Sequence, residues 1–152
     1  LGRSRQQSAA ALAASLLLSA DNGHAAHPNH PDKADPENPV VLGKGLLLKY
    51  SANQRYTTSG LTGALAGEIF RRAGVPVQRF TNRADLPGGS TLGNLLGHTV
   101  SLPMADVGAP QWAMHSCVET AHTGDALALY QGLEAFYASE FLLEGDGSYQ
   151  LK

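Results

Sequence analysis

The sequence predicts an α/β protein, with helices covering both faces of a layered, mixed sheet. Short apolar runs bounded by Gly or Pro alternate along the chain with stretches that carry apolar residues at helical spacing. With 152 residues, of which 43% are hydrophobic, the chain has enough apolar surface for the core of one globular unit. In sheets of this kind, functional side chains gather where strands end.

The first half is predicted to hold two helices and two strands. In order, we expect a helix over residues 6–14, a buried strand from Leu16 that ends at Asp21, a surface loop over 27–39, an apolar strand over 40–50 and a helix over 59–73. The loop is predicted because it contains four prolines, and the second helix because Leu61, Leu65 and Ile69 share one face. Gly43 and Gly45 interrupt the apolar strand.

The second half continues the same alternation. We expect a strand over 77–83, a glycine turn over 86–90, a short helix over 91–96, a strand over 101–108, a closing helix over 123–143 and a frayed tail over 145–152. Ser90 or Thr91 is suited to cap the short helix. Asp21 follows one of the predicted strands, as does the segment that leads to His115.

Composition narrows the possible partners. Eleven basic residues are scattered among thirteen acidic ones, without the basic cluster that nucleic acid requires. No apolar run has the length of roughly 20 residues that spans a bilayer. The single cysteine, Cys117, excludes an internal disulfide, which is consistent with a reducing cytoplasm.

The N-terminus also has features of a secretory signal. Arg3 and Arg5 precede an apolar run that ends in small residues, the pattern of a cleavable signal peptide. Cleavage after Ala20 would leave a secreted, His-rich metal-binding module. The chain also lacks an initiating Met. We therefore expect it to be part of a longer protein.

One short segment has the composition of a metal site. Asp21, His24, His27 and His30 fall within a dozen positions directly after an apolar run, and His115 follows a second such run. Carboxylate oxygen and imidazole nitrogen are the ligands that zinc prefers. A three-His site is not the favoured reading, since Pro28 would break any helix that aligned the imidazoles.

Four sequence blocks resemble the aspartyl aminopeptidase family of dinuclear zinc exopeptidases. They are SADNGHAAHPNHP at 19–31, KGLLLKYSANQRYTT at 44–58, DLPGGSTLG at 85–93 and DVGAPQWAMHS at 106–116. Four blocks in the family's order are far more specific than a single HPN or MHS. Gly23 stands where the family usually has Ala, and Cys117–Glu119 lacks the Arg that commonly follows MHS, which puts the substrate preference in question.

The resemblance assigns roles to individual residues. It implies that Asp21 and His115 each bind one of two zinc ions, and that His24, Lys49 and Tyr56 contact the substrate. An ammonium can pair with an acidic side chain of the substrate, and a phenol can donate to an oxyanion. Support for the site is expected from His27, Gly89 and Ser90. Surface roles are expected for His30, His98 and His122.

The resemblance also implies a function. The whole protein would be a cytoplasmic, homo-oligomeric aminopeptidase that releases acidic or neutral N-terminal residues from peptides through water activated by two zinc ions. The chain would be the C-terminal portion of the catalytic domain, without the upstream half, the inserted dimerisation domain and the general base. Alone it would then be inactive. The alternative is a truncated remnant that serves as a binding or assembly module.

Overall fold

A four-stranded mixed sheet forms the centre of the computed structural model, which describes residues 2–144 and 148–152. The sheet order is β1 (Leu17–Ala20), β5 (Met104–Gly108), β3 (Leu46–Lys49) and β4 (Val77–Phe80). The outer pairs β1–β5 and β3–β4 are parallel, and the central pair β3–β5 is antiparallel. The predicted mixed α/β sheet is therefore confirmed.

Alternation along the strands sends side chains to two different faces. Leu46 and Leu48 point to one face, where they pack with Ala105 and Val107 against two helices. The helices on this face are α2 (Gly60–Arg72) and α4 (Thr123–Ala138), which contribute Ala66, Ile69, Phe70 and Ala128 to the core. Leu47 and Lys49 point the other way, so this strand places one buried charge opposite the main core.

The opposite face carries a smaller core and one short helix. Leu47 packs there with Ala25, Val40, Tyr56 and Phe80. Helix α3 (Leu92–Gly97) lies on this side, because the backbone N–H of Gly93 donates to the Ser19 hydroxyl at 3.1 Å. Helices thus cover both faces, as predicted.

The parallel pairing of β1 with β5 continues into a second sheet. After a break, β2 (Gly23–His24) pairs with β6 (Pro110–Trp112), and β6 pairs with β7 (Thr120–Ala121). Between the two sheets, the N–H of Asp21 donates to the carbonyl of Val107 at 2.9 Å. This sheet was not predicted, since strands of two or three residues are too short to show a period.

The predicted helices over the first three quarters of the chain are confirmed within a few residues. The structure has α1 (Arg5–Ala13), α2 and α3, with a 3-10 turn at Pro31–Lys33 inside the predicted loop. Ser59 caps α2 through a reciprocal pair of hydrogen bonds with Thr62. Thr91 occupies the N-cap position of α3 but makes no side-chain capping bond there.

Several predicted boundaries are wrong. The strand predicted over 77–83 ends at Phe80, and the strand predicted over 101–108 begins only at Met104. The strand predicted over 40–50 begins only at Leu46, because Gly43 and Gly45 adopt φ of +79° and +100°. The closing helix ends at Ala138, because Ser139 is extended and its hydroxyl donates to the carbonyl of Ala135. Beyond it, β8 (Phe141–Leu143) pairs with β9 (Tyr149–Leu151). Residues 149–151 of the tail therefore form a strand where fraying was predicted. Residues 145–147 of the predicted tail lie outside the described part.

No helix among residues 2–144 and 148–152 combines the length and the apolar character needed to cross a membrane.

Candidate active site

Lys49 is the buried cation of the candidate site. Only 2% of its surface is exposed, yet it lies on the sheet face away from the main core. Its Nζ donates to the carbonyl of Asn22 at 2.9 Å and lies 3.6 Å from Oδ2 of Asp21. Burial lowers the pKa of Lys49, while the carboxylates of Asp21 and Asp106 oppose that shift. The resemblance implies that Lys49 contacts the substrate and that Asp21 binds zinc. In the structure these two side chains contact each other directly.

Asp106 is a second buried charge on this face, and sequence reasoning assigned it no role. It lies opposite Lys49 in the β3–β5 register and is fully buried. Its Oδ2 accepts hydrogen bonds from the N–H of Thr57 at 2.5 Å and from the Thr57 hydroxyl at 2.8 Å, whereas its Oδ1 has no hydrogen-bond partner. A charged residue inside the apolar run MADVG was the signal that could have identified it.

Asp106 fixes the backbone next to Tyr56. The Thr58 hydroxyl accepts a hydrogen bond from the Asp106 N–H at 2.8 Å. The loop that carries Tyr56, Thr57 and Thr58 is therefore bonded to both the backbone and the carboxylate of Asp106. Tyr56 itself is buried, and its phenol oxygen accepts a hydrogen bond from the amide of Asn82 at 3.0 Å. Burial raises the pKa of Tyr56, so the phenol keeps its proton at neutral pH. The hydroxyl can therefore donate to a third group.

Lys49 and Tyr56 are also neighbours. The Lys49 ammonium lies 5.3 Å from the centroid of the Tyr56 ring, within the range of a cation–π contact. The structure therefore brings together two of the three side chains that the resemblance assigns to the substrate.

Asp21 and His115 are both exposed, at the ends of β1 and β6. The His115 turn has unusual backbone geometry, since Ala113 and His115 have φ of +54° and +70°. Glu119 stabilises this turn, because its carboxylate accepts a hydrogen bond from the His115 N–H at 2.6 Å. Sequence reasoning gave Glu119 no role either.

His24 connects these parts of the site electrostatically. Partial burial lowers the pKa of His24, and the neighbouring His115 and Lys49 lower it further by repulsion. Its imidazole is therefore predominantly neutral at pH 7. Asp21, Lys49, His24 and His115 thus form a series of titratable groups in which the Lys49–Asp21 pair attracts and His24 is repelled by both Lys49 and His115.

His27 lies beside this series and packs against other rings. Its ring centroid is 5.6 Å from that of His30 and 5.8 Å from that of Trp112, and its Nδ1 accepts a hydrogen bond from the N–H of Asn29. The three histidines His24, His27 and His30 line one cavity of about 630 Å³. This cavity was not predicted.

Gly89 and Ser90 lie apart from these side chains. The Ser90 hydroxyl donates to Oδ1 of Asn94 in α3, and neither residue lines the cavity at His24. The proposed role of this turn stays a prediction.

The described residues provide only part of a metal site. Within residues 2–144 and 148–152, no three His, Cys, Asp or Glu side chains are grouped so that they could hold a metal ion. Asp21 and His115 nevertheless offer an accessible carboxylate and an accessible imidazole, the donor types that zinc prefers. The donor set fits zinc in kind, and each ion would need further ligands.

The fold and these donors define a class of protein, an α/β protein in which a carboxylate and an imidazole of the kinds that bind zinc follow strands near a buried lysine. Residues 1–137 match the model of the Aminopeptidase I zinc metalloprotease (M18) family. The chain belongs to this family, and the resemblance found in the four sequence blocks is confirmed.

Curated relatives agree with the family match. The chain is 44% identical over 139 residues to the probable M18 family aminopeptidase 2 of Mycobacterium tuberculosis, covering 91% of this chain and 32% of the relative. It is 42% identical over 127 residues to a probable aspartyl aminopeptidase of Ricinus communis, covering 84% of this chain and 26% of the relative. The chain thus spans about a third or less of the length of these relatives.

Solved structures agree as well. The chain superposes on a structure titled as the complex of Ape4 and Nbr1 with a TM-score of 0.82 and 35% identity, covering 91% of this chain and 27% of that one. It superposes on the aminopeptidase mApe1 dodecamer of S. cerevisiae with a TM-score of 0.75 and 27% identity, covering 86% of this chain and 28% of that one. The predicted zinc-exopeptidase-like fold is therefore confirmed, as part of a larger domain.

Proposed function

We propose that this chain is the C-terminal portion of the catalytic domain of an M18 metalloaminopeptidase, which releases acidic or neutral N-terminal residues from peptides. The observation that carries the proposal is the buried Lys49, which contacts Asp21 and Tyr56 in a chain of this family. Burying a charged group costs free energy because the group loses its hydration, so it is found only where neighbouring charges or a ligand compensate that loss.

The side chains of this segment have complementary roles in the proposal. Asp21 would hold one zinc ion and His115 the other, with further ligands and a general base from the rest of the protein. Two zinc ions would supply Lewis-acid activation of water. The neutral imidazole of His24 can accept or donate a hydrogen bond at the substrate, and the protonated phenol of Tyr56 can donate one to an oxygen that develops negative charge.

Lys49 is the proposed determinant of acidic preference. Its ammonium lies 3.6 Å from the Asp21 carboxylate, and a substrate carboxylate would add a second negative partner. In the complete peptidase, we expect Lys49→Ala to lower kcat/KM for an N-terminal Asp by at least 10-fold more than for an N-terminal Leu. Equal losses for the two substrates would contradict this role of Lys49.

The function itself is tested with the complete protein. We expect zinc-dependent release of N-terminal residues that is abolished by Asp21→Ala and by His115→Ala, while His98→Ala, an exposed histidine elsewhere, leaves it unchanged. The 152-residue chain alone should show no turnover, since its described residues close no metal site. Turnover by the isolated chain that disappears in Asp21→Ala would refute the proposed division of the site.

The incomplete site also favours a second candidate. A chain with about a third of its relatives' length and no closed metal site among its described residues could act as a binding or assembly module. Absence of peptidase activity from the complete protein, with retained folding, would support that alternative. In the leading proposal, the complete protein acts on peptides in the cytoplasm as a homo-oligomer. Measurement of its molecular mass in solution tests the oligomeric state.

A further inference from the structure

A cavity of about 630 Å³ lies next to His24, on the proline-rich loop that sequence analysis treated only as surface. Pockets that bind small molecules or short peptide segments are commonly about 300–1,000 Å³. The cavity is therefore large enough for one large amino-acid side chain together with its backbone.

The cavity's walls are predominantly apolar. Its apolar residues come from the loop, from β4, from the turn before α3 and from the turn at His115, and they are Ala25, Ala34, Val40, Phe80, Leu86, Pro87 and Ala113. Val40 and Phe80 are 3% and 5% exposed, so the floor of the cavity is part of the smaller core. An apolar side chain that enters would remove further apolar surface from water.

The charged residues of the cavity are paired with each other's neighbours. Lys33 lies 3.6 Å from the Asp32 carboxylate, and Arg83 lies 2.7 Å from the Asp85 carboxylate. Asp35 accepts a hydrogen bond from the Thr81 hydroxyl at 2.8 Å. A charged ligand would therefore compete with Asp32 for Lys33 and with Asp85 for Arg83, whereas Asp35 has only neutral donors as partners among the described residues.

The cavity borders the candidate active site, since its lining includes Asn82, whose amide donates to the Tyr56 phenol. His24 and Ala113 line it, and Ala113 is two residues before His115 in the same strained turn. Neither Lys49 nor Tyr56 lines it. If Lys49 and Tyr56 contact the N-terminal residue of a peptide, the cavity is left for the residue that follows.

We propose that this cavity binds the second residue of the peptide substrate and favours a large uncharged side chain there. This inference rests on the proposed peptidase function and deepens it. The chain would then contact two successive residues of the peptide, the first through Lys49 and the second through the apolar cavity.

The experiment uses the complete peptidase with three substrates that share their first residue: Asp amide, Asp-Phe amide and Asp-Glu amide. We expect kcat/KM for Asp-Phe amide to exceed that for Asp-Glu amide by at least 10-fold, since a Phe ring would cover the apolar floor at Val40 and Phe80, where a Glu carboxylate would lose its hydration. Equal values, or a preference for Glu, would overturn the inference. No turnover of any substrate would overturn the proposed function and the inference with it.

A cavity-filling variant separates this subsite from the catalytic centre. Ala34 lines the cavity from the loop, so Ala34→Trp should lower kcat/KM for Asp-Phe amide by about 10- to 100-fold and leave Asp amide unchanged. The matched control is Ala126→Trp, at an exposed position of α4 outside the cavity, which should change neither. Equal loss for both substrates in Ala34→Trp would overturn the inference.

A charge variant gives an independent readout if the Trp variant is poorly folded. Leu86 is a partly exposed wall residue, so Leu86→Glu should move the preference at the second residue from Phe toward Lys. A Phe preference that remains unchanged in Leu86→Glu would mean that the second residue binds elsewhere, and would overturn the inference.

Discussion

Replacement of Gly108 by Ala tests whether the close approach of two backbones positions the candidate metal ligand. A β carbon at Gly108 would lie 1.7 Å from the carbonyl oxygen of Asp21 and 2.6 Å from its carbonyl carbon. To restore a separation of 3.0 Å from 1.7 Å, the Asp21 backbone must move by about 1.3 Å. The N–H of Asp21 is bonded to Val107, so this hydrogen bond must also be distorted.

The expected cost of this substitution is large in both stability and activity. Because the clash is with backbone atoms, which no rotamer change can relieve, we expect a loss of about 3 kcal/mol in the free energy of unfolding. A displacement of about 1 Å at a catalytic group typically costs about 100-fold in rate. We therefore expect kcat/KM of the complete peptidase to fall by about 100-fold.

The matched control is Gly67→Ala, because Gly67 lies within α2 and a β carbon there meets no atom within 4 Å. Alanine in a helix interior should stabilise by about 0.5–1 kcal/mol, and activity should not change. Chemical denaturation and steady-state kinetics on both variants give the comparison. If Gly108→Ala is as stable and as active as Gly67→Ala, the positioning argument is refuted.

Substitutions at three further positions test single contacts. Asp106→Asn removes the buried negative charge beside Lys49, and denaturant unfolding should show a loss of about 1.5–3 kcal/mol, whereas no loss would contradict the compensating role of the carboxylate. Glu119→Ala should weaken zinc binding by about 10-fold in a metal titration of the complete protein. Glu119→Gln keeps an acceptor for the His115 N–H and should restore most of the affinity. Equal zinc affinities of the two variants would contradict the role of this hydrogen bond in positioning His115. Arg71 and Arg72 in α2 lower the pKa of Glu68 to about 2, so the stability that its carboxylate adds is present above pH 4.5 and is lost as the pH falls toward 2. The difference in Tm between wild type and Glu68→Gln should therefore shrink from pH 4.5 to pH 2. A Tm difference that stays constant over this range would contradict the shift.

The sequence predicted the helices well because their signals are local. Ser59, the apolar face of α2 and Gly74 fall at the spacing that a capped amphipathic helix requires, and the structure places α2 within one residue of the prediction. The end of α4 was missed because Phe141 and Leu142 continue an apolar pattern that suits helix or strand equally. The antiparallel pairing with β9, which the apolar pattern does not reveal, decides between them.

The sequence selected candidate site residues but not their arrangement. Sequence motifs selected Asp21, Lys49 and Tyr56, and the structure brings these three side chains together. The burial of Lys49 opposite Asp106 was not readable from the sequence, because strand pairing alone places these two residues side by side. Likewise, the cavity at His24 arises from loop residues that are far apart in sequence.

Zinc content of the complete protein tests the central claim most directly. We expect about two zinc ions per chain in the wild type. Asp21→Ala and His115→Ala should each retain fewer, while His98→Ala retains the full number, with folding of all four proteins checked by circular dichroism. Full zinc content in both Asp21→Ala and His115→Ala would contradict the account, because neither residue could then be a metal ligand.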